Sequence, residues 1–419
     1  MKIHTIKGFV DVLPGEVEAW QSVEAEARWV FAAYHFAEIR IPILEKTELF
    51  SRSIGEATDI VEKEMYTFPD RDSTQITLRP EGTAGVVRAY IQSEMYKVEP
   101  VRKLYYMGPM FRRERPQKGR LRQFHQIGAE ALGRNDPLID AEILLLLGDF
   151  FNAVKLSELS LQLNSLGDST CRPGYREKLL GFLRQKKNLL CANCQRRMER
   201  NPLRVLDCKE PGCLAATKDA PSILDSLCAP CDEHFATVQR LLTECGVSFR
   251  LNSRMVRGLD YYCRTAFEWT TTLLGSQSAV AAGGRYDNLI RELGGPPIAG
   301  VGFALGVERL TMLLRMQERA ATAGPTLFVV WVGDRARDWA FPVVHRLRQK
   351  GISVEMEGEA RSLKSQMGRA DKLKAVSVLI VGEDELAKGK VILRDMATKR
   401  QEEIDLDHIE AELMARKAN

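Results

Sequence analysis

Two strand-like runs flank a short basic segment, and they leave few ways to fold this part of the chain. The runs are KLYYMGPMF (residues 103–111) and RQFHQIGAEAL (residues 122–132), and the segment between them is RRERPQKGRLR. Strands joined by such a connection are expected to pair as a long antiparallel hairpin. The segment contains six basic residues and one acidic residue. Such a run is typical either of a solvated face or of a surface that meets phosphates.

The second run also indicates what one face of the hairpin carries. Side chains alternate between the two faces of a strand, so Phe124, Gln126, Gly128 and Glu130 share one face. That face offers an aromatic ring, an amide, a gap without a side chain and a carboxylate. It suits a planar, partly cationic ligand. The alternative interpretation is that the polar residues lie on the solvent side of a half-buried sheet.

Small residues recur at every second position of GVGFALGVERL, residues 300–310. Gly300, Gly302, Ala304 and Gly306 leave one face of this strand nearly bare, either for close packing or for a ligand against the backbone. Arg309 follows on the next helix. Together with Arg112 and Arg257, which lie in other segments, it supplies the planar cationic groups that suit phosphate and carboxylate.

The 419 residues are enough for two or three domains, and 45% of them are hydrophobic. The pattern predicts an α+β protein with an antiparallel-sheet domain at 1–323, interrupted by a mostly helical insertion at 168–246. A small α/β domain is predicted at 325–419. No apolar run has the length of a membrane-spanning helix, and the N-terminus has no signal-peptide core. We therefore expect a cytoplasmic protein without a membrane partner.

Six of the nine cysteines lie between Cys191 and Cys231. The pairs Cys191-x₂-Cys194 and Cys228-x₂-Cys231 have the spacing of structural zinc ligands, which predicts a Zn²⁺ site made by these four thiolates. Cys213 is a candidate to replace one of them, and Cys208 is interpreted as a buried residue. The alternative is a set of reduced thiols or the remnant of a lost site.

Five strings, in order along the chain, resemble the histidyl-tRNA synthetases, a family of class II aminoacyl-tRNA synthetases. They are TLRPEGT, GPMFRRERPQKGRLRQFHQIGAE, RGLDYY, AGGRYD and GVGFALGVERL. The resemblance covers nearly the whole chain. It implies a class II catalytic domain with a helical insertion, a C-terminal anticodon-binding domain, and a homodimer formed through the first helix and the strand EIRIPILE. Pro42 removes a hydrogen-bond donor from this strand, so we expect the strand to be bent or at an edge there.

The resemblance also implies an ATP-dependent ligase. Such an enzyme activates L-histidine with ATP and Mg²⁺ to histidyl-adenylate, then transfers histidine to tRNA(His). Arg257 and Arg112 would be the catalytic arginines at the α-phosphate. The implied histidine-binding residues are Glu81, Thr83, Arg112, Gln126, Glu130, Arg257, Tyr261 and Tyr262. The implied ATP-binding residues are Arg112, Glu114, Arg120, Phe124 and Arg309. Arg115 and Gln117 match positions that meet the acceptor end of the tRNA.

Two other functions fit parts of the sequence. One is the catalytically inactive paralogue that acts as the regulatory subunit of ATP phosphoribosyltransferase, which shares the catalytic-domain fold. The intact RGLDYY and AGGRYD strings and the C-terminal domain argue against it. The other is a zinc-bearing nucleic-acid module, which would explain the cysteines but not the remaining strings. Histidine-dependent exchange of pyrophosphate into ATP separates the ligase from both.

Overall fold

The predicted hairpin is present, and it forms part of the largest sheet. In the computed structural model, which describes residues 2–55, 58, 60–117, 119–274, 279–317 and 324–418, strand β5 (Arg102–Phe111) pairs antiparallel with β6 (Gln123–Leu132). Gly108 lies opposite Gln126, and Tyr106 lies opposite Gly128. The chain divides into two units, Met1–Ala320 and Ala321–Asn419.

The N-terminal unit is built on an eight-stranded sheet with the order β1-β5-β6-β11-β10-β9-β7-β8. Its neighbouring strands are antiparallel except for the parallel pairs β1–β5 and β7–β8. A second sheet has the order β2-β4-β3. The remaining strands of this unit are β1 (Ala37–Glu38), β2 (Leu44–Lys46), β3 (Tyr66–Pro69), β4 (Gln75–Leu78), β7 (Ser160–Ser165), β8 (Phe249–Leu251), β9 (Cys263–Thr270), β10 (Ala279–Arg285) and β11 (Gly300–Gly306).

One face of the large sheet is covered by helices that bury its apolar side chains. Ile127 and Ala129 of β6 lie in this core, on the face opposite Gln126, as the alternation predicts. Helix α5, one of these helices, begins at Pro137. Asp136 caps it by accepting a hydrogen bond from the backbone N–H of Leu138, and proline is favoured in the first turn. The helices of the unit are α1 (Val17–Ala33), α2 (Thr47–Ile54), α3 (Thr83–Gln92), α4 (Met95–Val98), α5 (Pro137–Ala153), α6 (Arg172–Gln185), α7 (Ala192–Arg200), α8 (Pro211–Ala216), α9 (Ala229–Glu244), α10 (Leu289–Glu292) and α11 (Val307–Met316).

The run EIRIPILE divides between the two sheets. Strand β1 is an edge strand of the large sheet, β2 joins the small one, and Pro42 lies between them, which confirms the predicted bend. The buried Arg79 holds the bend, because its Nη1 donates to the carbonyl of Ile41 at 2.7 Å and its Nε to that of Pro109 at 2.9 Å.

Residues 168–246, all of which are described, contain helices and no strand, as predicted. Helices α6, α7 and α8 share a separate apolar core that includes Tyr175, Leu179 and Met198. Helix α9 instead packs on α5 and contributes Phe235 and Val238 to the main core. The insertion therefore ends on a helix that belongs to the sheet's own core.

The C-terminal unit alternates strands and helices, as its sequence predicts. Its sheet has the order β13-β12-β14-β15-β16, in which β12 is parallel to both β13 and β14, and the last two strands are antiparallel additions. None of the helices in the described residues is long and apolar enough to cross a bilayer. The elements are β12 (Leu327–Val332), α12 (Asp334–Gln349), β13 (Val354–Met356), α13 (Leu363–Lys372), β14 (Ser377–Gly382), α14 (Glu383–Ala387), β15 (Lys390–Asp395), β16 (Gln401–Asp405) and α15 (Ile409–Ala418).

A fully buried ion pair joins the large sheet to its helices. Arg285, at the end of β10, donates to Asp140 of α5, and both side chains are 0% exposed. Asp140 also accepts from Thr265 of β9 at 2.6 Å and contacts Nε2 of His234 of α9 at 2.7 Å. Burial lowers the pKa of Arg285, but the carboxylates of Asp140 and Asp287 outweigh it, so the net shift is upward. The arginine of AGGRYD is therefore a core residue.

Removing one partner of this pair should unfold the N-terminal unit more easily. Asp140→Ala leaves the Arg285 charge buried without its main partner, so we expect the free energy of unfolding to fall by about 3–5 kcal/mol. Urea denaturation measures the loss. Glu244→Ala is the control, because it breaks the exposed Arg240–Glu244 pair of α9 and should change stability by less than about 1 kcal/mol. Equal losses in the two variants would contradict this role of Asp140.

Candidate active site

A cavity of about 300 Å³ lies against the face of β6 that carries Gln126. Strands β6, β9, β10 and β11, the hairpin loop, the RGLDYY segment and the start of α3 and α11 all contribute to its wall. Most of the site residues expected from the sequence line it. They are Glu81, Thr83, Arg112, Glu114, Arg120, Phe124, Gln126, Arg257, Tyr261, Tyr262 and Arg309.

Three arginines from separate segments line this cavity, namely Arg112, Arg257 and Arg309. Arg112 donates through Nε to the carbonyl of Pro80 at 2.8 Å, and its guanidinium lies 5.2 Å from the centre of the Phe124 ring. Arg309 donates to the carbonyls of Gly119 and Ala279 at 3.1 and 2.7 Å. Burial and the nearby charges of Arg120 and Arg112 lower the pKa of Arg309. A bound anion would relieve this repulsion, so this part of the cavity is suited to phosphate.

Two buried carboxyl groups lie by the start of α3. Glu81 accepts the backbone N–H groups of Thr83 and Ala84 at 2.7 and 2.9 Å, so it caps this helix. Glu130 is fully buried and accepts from Thr83 Oγ1 at 2.7 Å and from the Tyr286 hydroxyl. Burial raises the pKa of both groups, and that of Glu130 to about 8. A cationic group beside them would favour their ionised form.

Glu130 itself lies outside the cavity lining, because Tyr106 fills the gap over Gly128. A Cβ on Gly128 would lie 2.4 Å from the Tyr106 ring, and one on Gly302 would lie 1.8 Å from Glu130 Oε2. The glycines of β11 thus serve two purposes. Gly302 makes room for the Glu130 carboxyl, whereas a Cβ on Gly306, which borders the cavity, would meet no atom of the described chain within 4 Å.

The RGLDYY segment brings Arg257 into the wall of the cavity. Arg257 forms an ion pair with Glu268 of β9, and its guanidinium lies 5.6 Å from the centre of the Tyr262 ring. Its Nε and the Oε1 of Gln126 are buried atoms without a hydrogen-bond partner in the described part of the chain. Both residues line the cavity, so a ligand can satisfy them.

Arg115 and Gln117 do not line the cavity. Both are exposed in the hairpin loop, where the backbones of Gln117 and Arg120 pair with each other. Lys118, in the same basic segment, lies outside the described residues. The expected role of Arg115 and Gln117 therefore stays a prediction.

The four cysteines chosen from spacing do not form one group, and that prediction is wrong. Cys191 and Cys194 lie with Cys208 and Cys213, whereas Cys228 and Cys231 lie with Asp168 and Cys171. The pairs look alike in sequence, but each begins a different helix, α7 or α9, and these helices pack against different parts of the chain.

Sequence reasoning missed three polar residues of the site. Glu268 pairs with Arg257, Tyr286 donates to Glu130, and Glu308 accepts from the backbone N–H of His125 at 2.8 Å. Glu268 and Glu308 line the cavity. The alternation of side chains along β9 could have indicated Glu268. No local sequence pattern indicates the hydrogen bond from Tyr286 to Glu130, because these residues are far apart in the chain.

Comparison with known proteins identifies the family of this chain. The family model for histidyl-tRNA synthetase matches residues 8–310, and the model for an anticodon-binding domain matches residues 326–416. The chain belongs to the histidyl-tRNA synthetase family. A histidine–tRNA ligase of Syntrophotalea carbinolica is 56% identical over 414 residues, or 99% of both chains. One of Geobacter metallireducens is 58% identical over 402 residues, or 96% of this chain and 97% of the other.

Solved structures of the histidyl-tRNA synthetase family have the same fold. The crystal structure of the apo Staphylococcus aureus enzyme matches with a TM-score of 0.82 and 35% identity, over 98% of this chain and all of the other. A Bacillus halodurans structure described as an ATP phosphoribosyltransferase regulatory subunit/histidyl-tRNA synthetase matches with a TM-score of 0.67 over 91% of this chain and 99% of the other. At 17% identity it supports the fold alone.

The buried Glu130 should make stability fall as pH rises. Between pH about 4.5 and about 8 the folded chain keeps a proton on Glu130 that the unfolded chain has lost. The free energy of unfolding, relative to that of Glu130→Gln, should therefore decrease through this interval by roughly 1.4 kcal/mol per pH unit at most. Urea denaturation of both proteins across the interval measures this difference. A difference independent of pH would show that Glu130 is ionised when folded.

Proposed function

We propose that this chain activates L-histidine with ATP to histidyl-adenylate and then transfers histidine to tRNA(His), in the cytoplasm. The observation that carries the proposal is the composition of one cavity. Arginines from three segments meet in it, and two buried carboxyl groups lie at the start of α3, one in its wall and one beneath it. This arrangement suits a nucleotide beside an amino acid with a free ammonium group. Relatives named as histidine–tRNA ligases are identical at 56–58% of positions over nearly the whole chain.

The first step is attack of the histidine carboxylate on the α-phosphorus of ATP, with pyrophosphate as the leaving group. Negative charge builds up on the α-phosphate oxygens, so guanidinium groups placed there in advance lower the barrier. Arg112 and Arg257 supply that charge. The Pro80 carbonyl holds Arg112, and Glu268 holds Arg257, so neither arginine has to reorganise during the reaction.

The rest of ATP fits the remaining wall. Phe124 offers a ring for stacking on adenine, Glu114 an acceptor for its amino group, and Arg120 and Arg309 positive charge for the outer phosphates. Mg²⁺ prefers oxygen ligands, and the carboxylates of Glu268 and Glu308 line this cavity. Each already contacts one residue, Arg257 or His125, but a carboxylate has further lone pairs, so both could hold the ion together with the phosphates. When bound, Mg²⁺ would neutralise charge on the phosphates.

Histidine selection rests on the buried carboxyls and their partners. Glu81, Thr83 and Gln126 would hold the α-ammonium group, while Glu130, Tyr261 and Tyr262 would recognise the ring. Glu130 lies outside the cavity lining, next to Tyr106. It would therefore act on the ring either through Thr83, which donates to Glu130 and lines the cavity, or after Tyr106 moves. A site with buried polar groups rejects apolar analogues, because these would leave its own groups unpaired.

Replacing Arg257 tests the proposed chemistry. Arg257→Ala removes charge stabilisation at the α-phosphate, so histidine-dependent exchange of pyrophosphate into ATP should slow by a factor on the order of 10²–10³. Arg250→Ala, which removes an exposed arginine of β8, is the matched control and should exchange at the normal rate. Normal exchange in Arg257→Ala would exclude it as the catalytic arginine. A wild-type protein without any exchange would instead support the regulatory paralogue.

We expect the tRNA to contact the hairpin loop with its acceptor end and the C-terminal unit with its anticodon. Arg115 and Gln117 are exposed in the loop, and Lys364 and Lys372 are exposed on α13. By contrast, Arg369 of α13 pairs with Glu357 at 2.7 Å, so its charge is partly used within the unit. The family model for the C-terminal unit is an anticodon-binding domain.

Removing these two exposed lysines should weaken tRNA binding without affecting adenylate formation. Lys364→Ala/Lys372→Ala should raise the KM for tRNA and lower the slope of log KM against log salt by about 1 for each phosphate that a lysine no longer neutralises. Lys388→Ala/Lys399→Ala, two exposed lysines outside α13, is the control. Identical salt dependence in the two double variants would mean that α13 is merely a solvated face.

We also propose that the chain is a homodimer, associated through the region of EIRIPILE. Ile43, Leu44 and Phe68 are more than 40% exposed in and beside the small sheet, and an apolar surface of this kind favours burial against a partner. Sedimentation equilibrium tests this, since a mass equal to one chain of 47.2 kDa would exclude a stable dimer.

A further inference from the structure

The insertion brings together two groups of potential metal ligands. Cys191, Cys194, Cys208 and Cys213 form one group, and Asp168, Cys171, Cys228 and Cys231 form the other. Within each group all four ligand atoms lie within 4.8 Å of one another. Tetrahedral Zn²⁺ with bonds of about 2.3 Å requires sulfur atoms about 3.8 Å apart, so both groups are close to that geometry without large movements.

The first group lies inside the core of the insertion. Cys191 precedes α7 and Cys194 lies in its first turn, so both residues lie at the N-terminus of this helix. The backbone N–H of Cys191 points to the Cys213 sulfur at 3.1 Å. Cys194 and Cys213 are 0% and 1% exposed, which agrees with a closed structural site rather than a reactive one.

The second group joins the two ends of the insertion. Asp168 and Cys171 lie just before α6, whereas Cys228 precedes α9 in the same extended conformation that Cys191 has before α7. Oδ1 of Asp168 lies 3.7 Å from the Cys171 sulfur and 3.8 Å from the Cys228 sulfur. Its other oxygen accepts from Arg264 of β9 at 3.4 Å, as a supported metal-binding carboxylate does.

We propose that each group binds one structural Zn²⁺, giving two ions per chain, one with four thiolates and one with three thiolates and a carboxylate. The two ligand sets use seven of the eight cysteines of the insertion and leave out the exposed Cys245 near its end. Mixed cysteine and aspartate ligation favours zinc over an iron–sulfur cluster in the second site.

The two ions together would also support the active site through the insertion. Arg172, the residue after Cys171, donates to the carbonyl of Tyr262. Arg204 donates to the carbonyl of Arg257 at 3.0 Å, and Asn201 donates to Asp260 at 3.0 Å. The insertion thus holds the RGLDYY segment at three points. Loss of zinc should loosen that segment while the sheet of the catalytic unit remains folded.

Elemental analysis of protein purified without chelator tests the stoichiometry directly. We expect two zinc ions per chain in the wild type and one in either Cys208→Ser or Cys171→Ser. Cys245→Ser is the matched control and should retain two, because Cys245 is exposed and belongs to neither group. A single ion that both variants retain would indicate one site formed by the two Cys-x₂-Cys pairs and would overturn the proposal. So would absence of zinc, iron in its place, or disulfides within the groups.

Cobalt substitution provides a second measurement that does not depend on refolding of a variant. Co²⁺ added to the metal-depleted full chain should bind at two ions per chain. At saturation the sulfur-to-cobalt absorption should correspond to seven thiolate ligands, four in one site and three in the other. Saturation at one Co²⁺ per chain, or absorption that corresponds to only four thiolates, would contradict the two ligand sets. These readouts need no histidine activation, so they can fail independently of the proposed enzymatic function.

Discussion

The buried pair of Arg285 and Asp140 determines how the catalytic unit is assembled. Asp140 lies on α5, and its carboxylate is shared by groups from β9, β10 and α9. A charge with no access to water needs all of these partners, so the four elements can pack in only one arrangement. Tyr286, which follows Arg285 in the chain, donates to Glu130. The internal ion pair therefore also sets the position of the carboxyl group beneath the proposed histidine pocket.

Strand β6 connects the core to the site, because its two faces meet different surroundings. Ile127 and Ala129 pack against helices, whereas Phe124 and Gln126 border the cavity. The neighbouring strands β5 and β11 determine the surroundings of Gly128 and Glu130, which follow on the same face of β6. Tyr106 from β5 covers Gly128, and Gly302 from β11 leaves room for Glu130. A single strand thus carries both the apolar support and the polar lining.

The electrostatics of the cavity favour its proposed ligands before they bind. Burial and the nearby charge of Arg120 disfavour the charged form of Arg309. Burial likewise disfavours the ionised forms of Glu81 and Glu130. A bound phosphate would stabilise the charged form of Arg309, and a bound ammonium group would stabilise the ionised forms of the two glutamates. Packing in the rest of the unit offsets the cost of holding these groups in place, so they need little reorganisation when substrates arrive.

Local patterns in the sequence were sufficient for the hairpin, the two faces of β6, the bend at Pro42 and the helical character of the insertion, because each depends on residues close together in the chain. The resemblance of five strings indicated most of the cavity lining. Contacts between distant segments could not be predicted in this way. Nothing near Arg285 indicates that it pairs with Asp140, and nothing near Gly302 indicates that it makes room for Glu130.

The cysteines illustrate the same limit, since Cys191-x₂-Cys194 and Cys228-x₂-Cys231 have equal spacing. Only the packing of α7 in the insertion and of α9 on the catalytic core assigns them to different groups, because partners in a metal site are chosen by position in space.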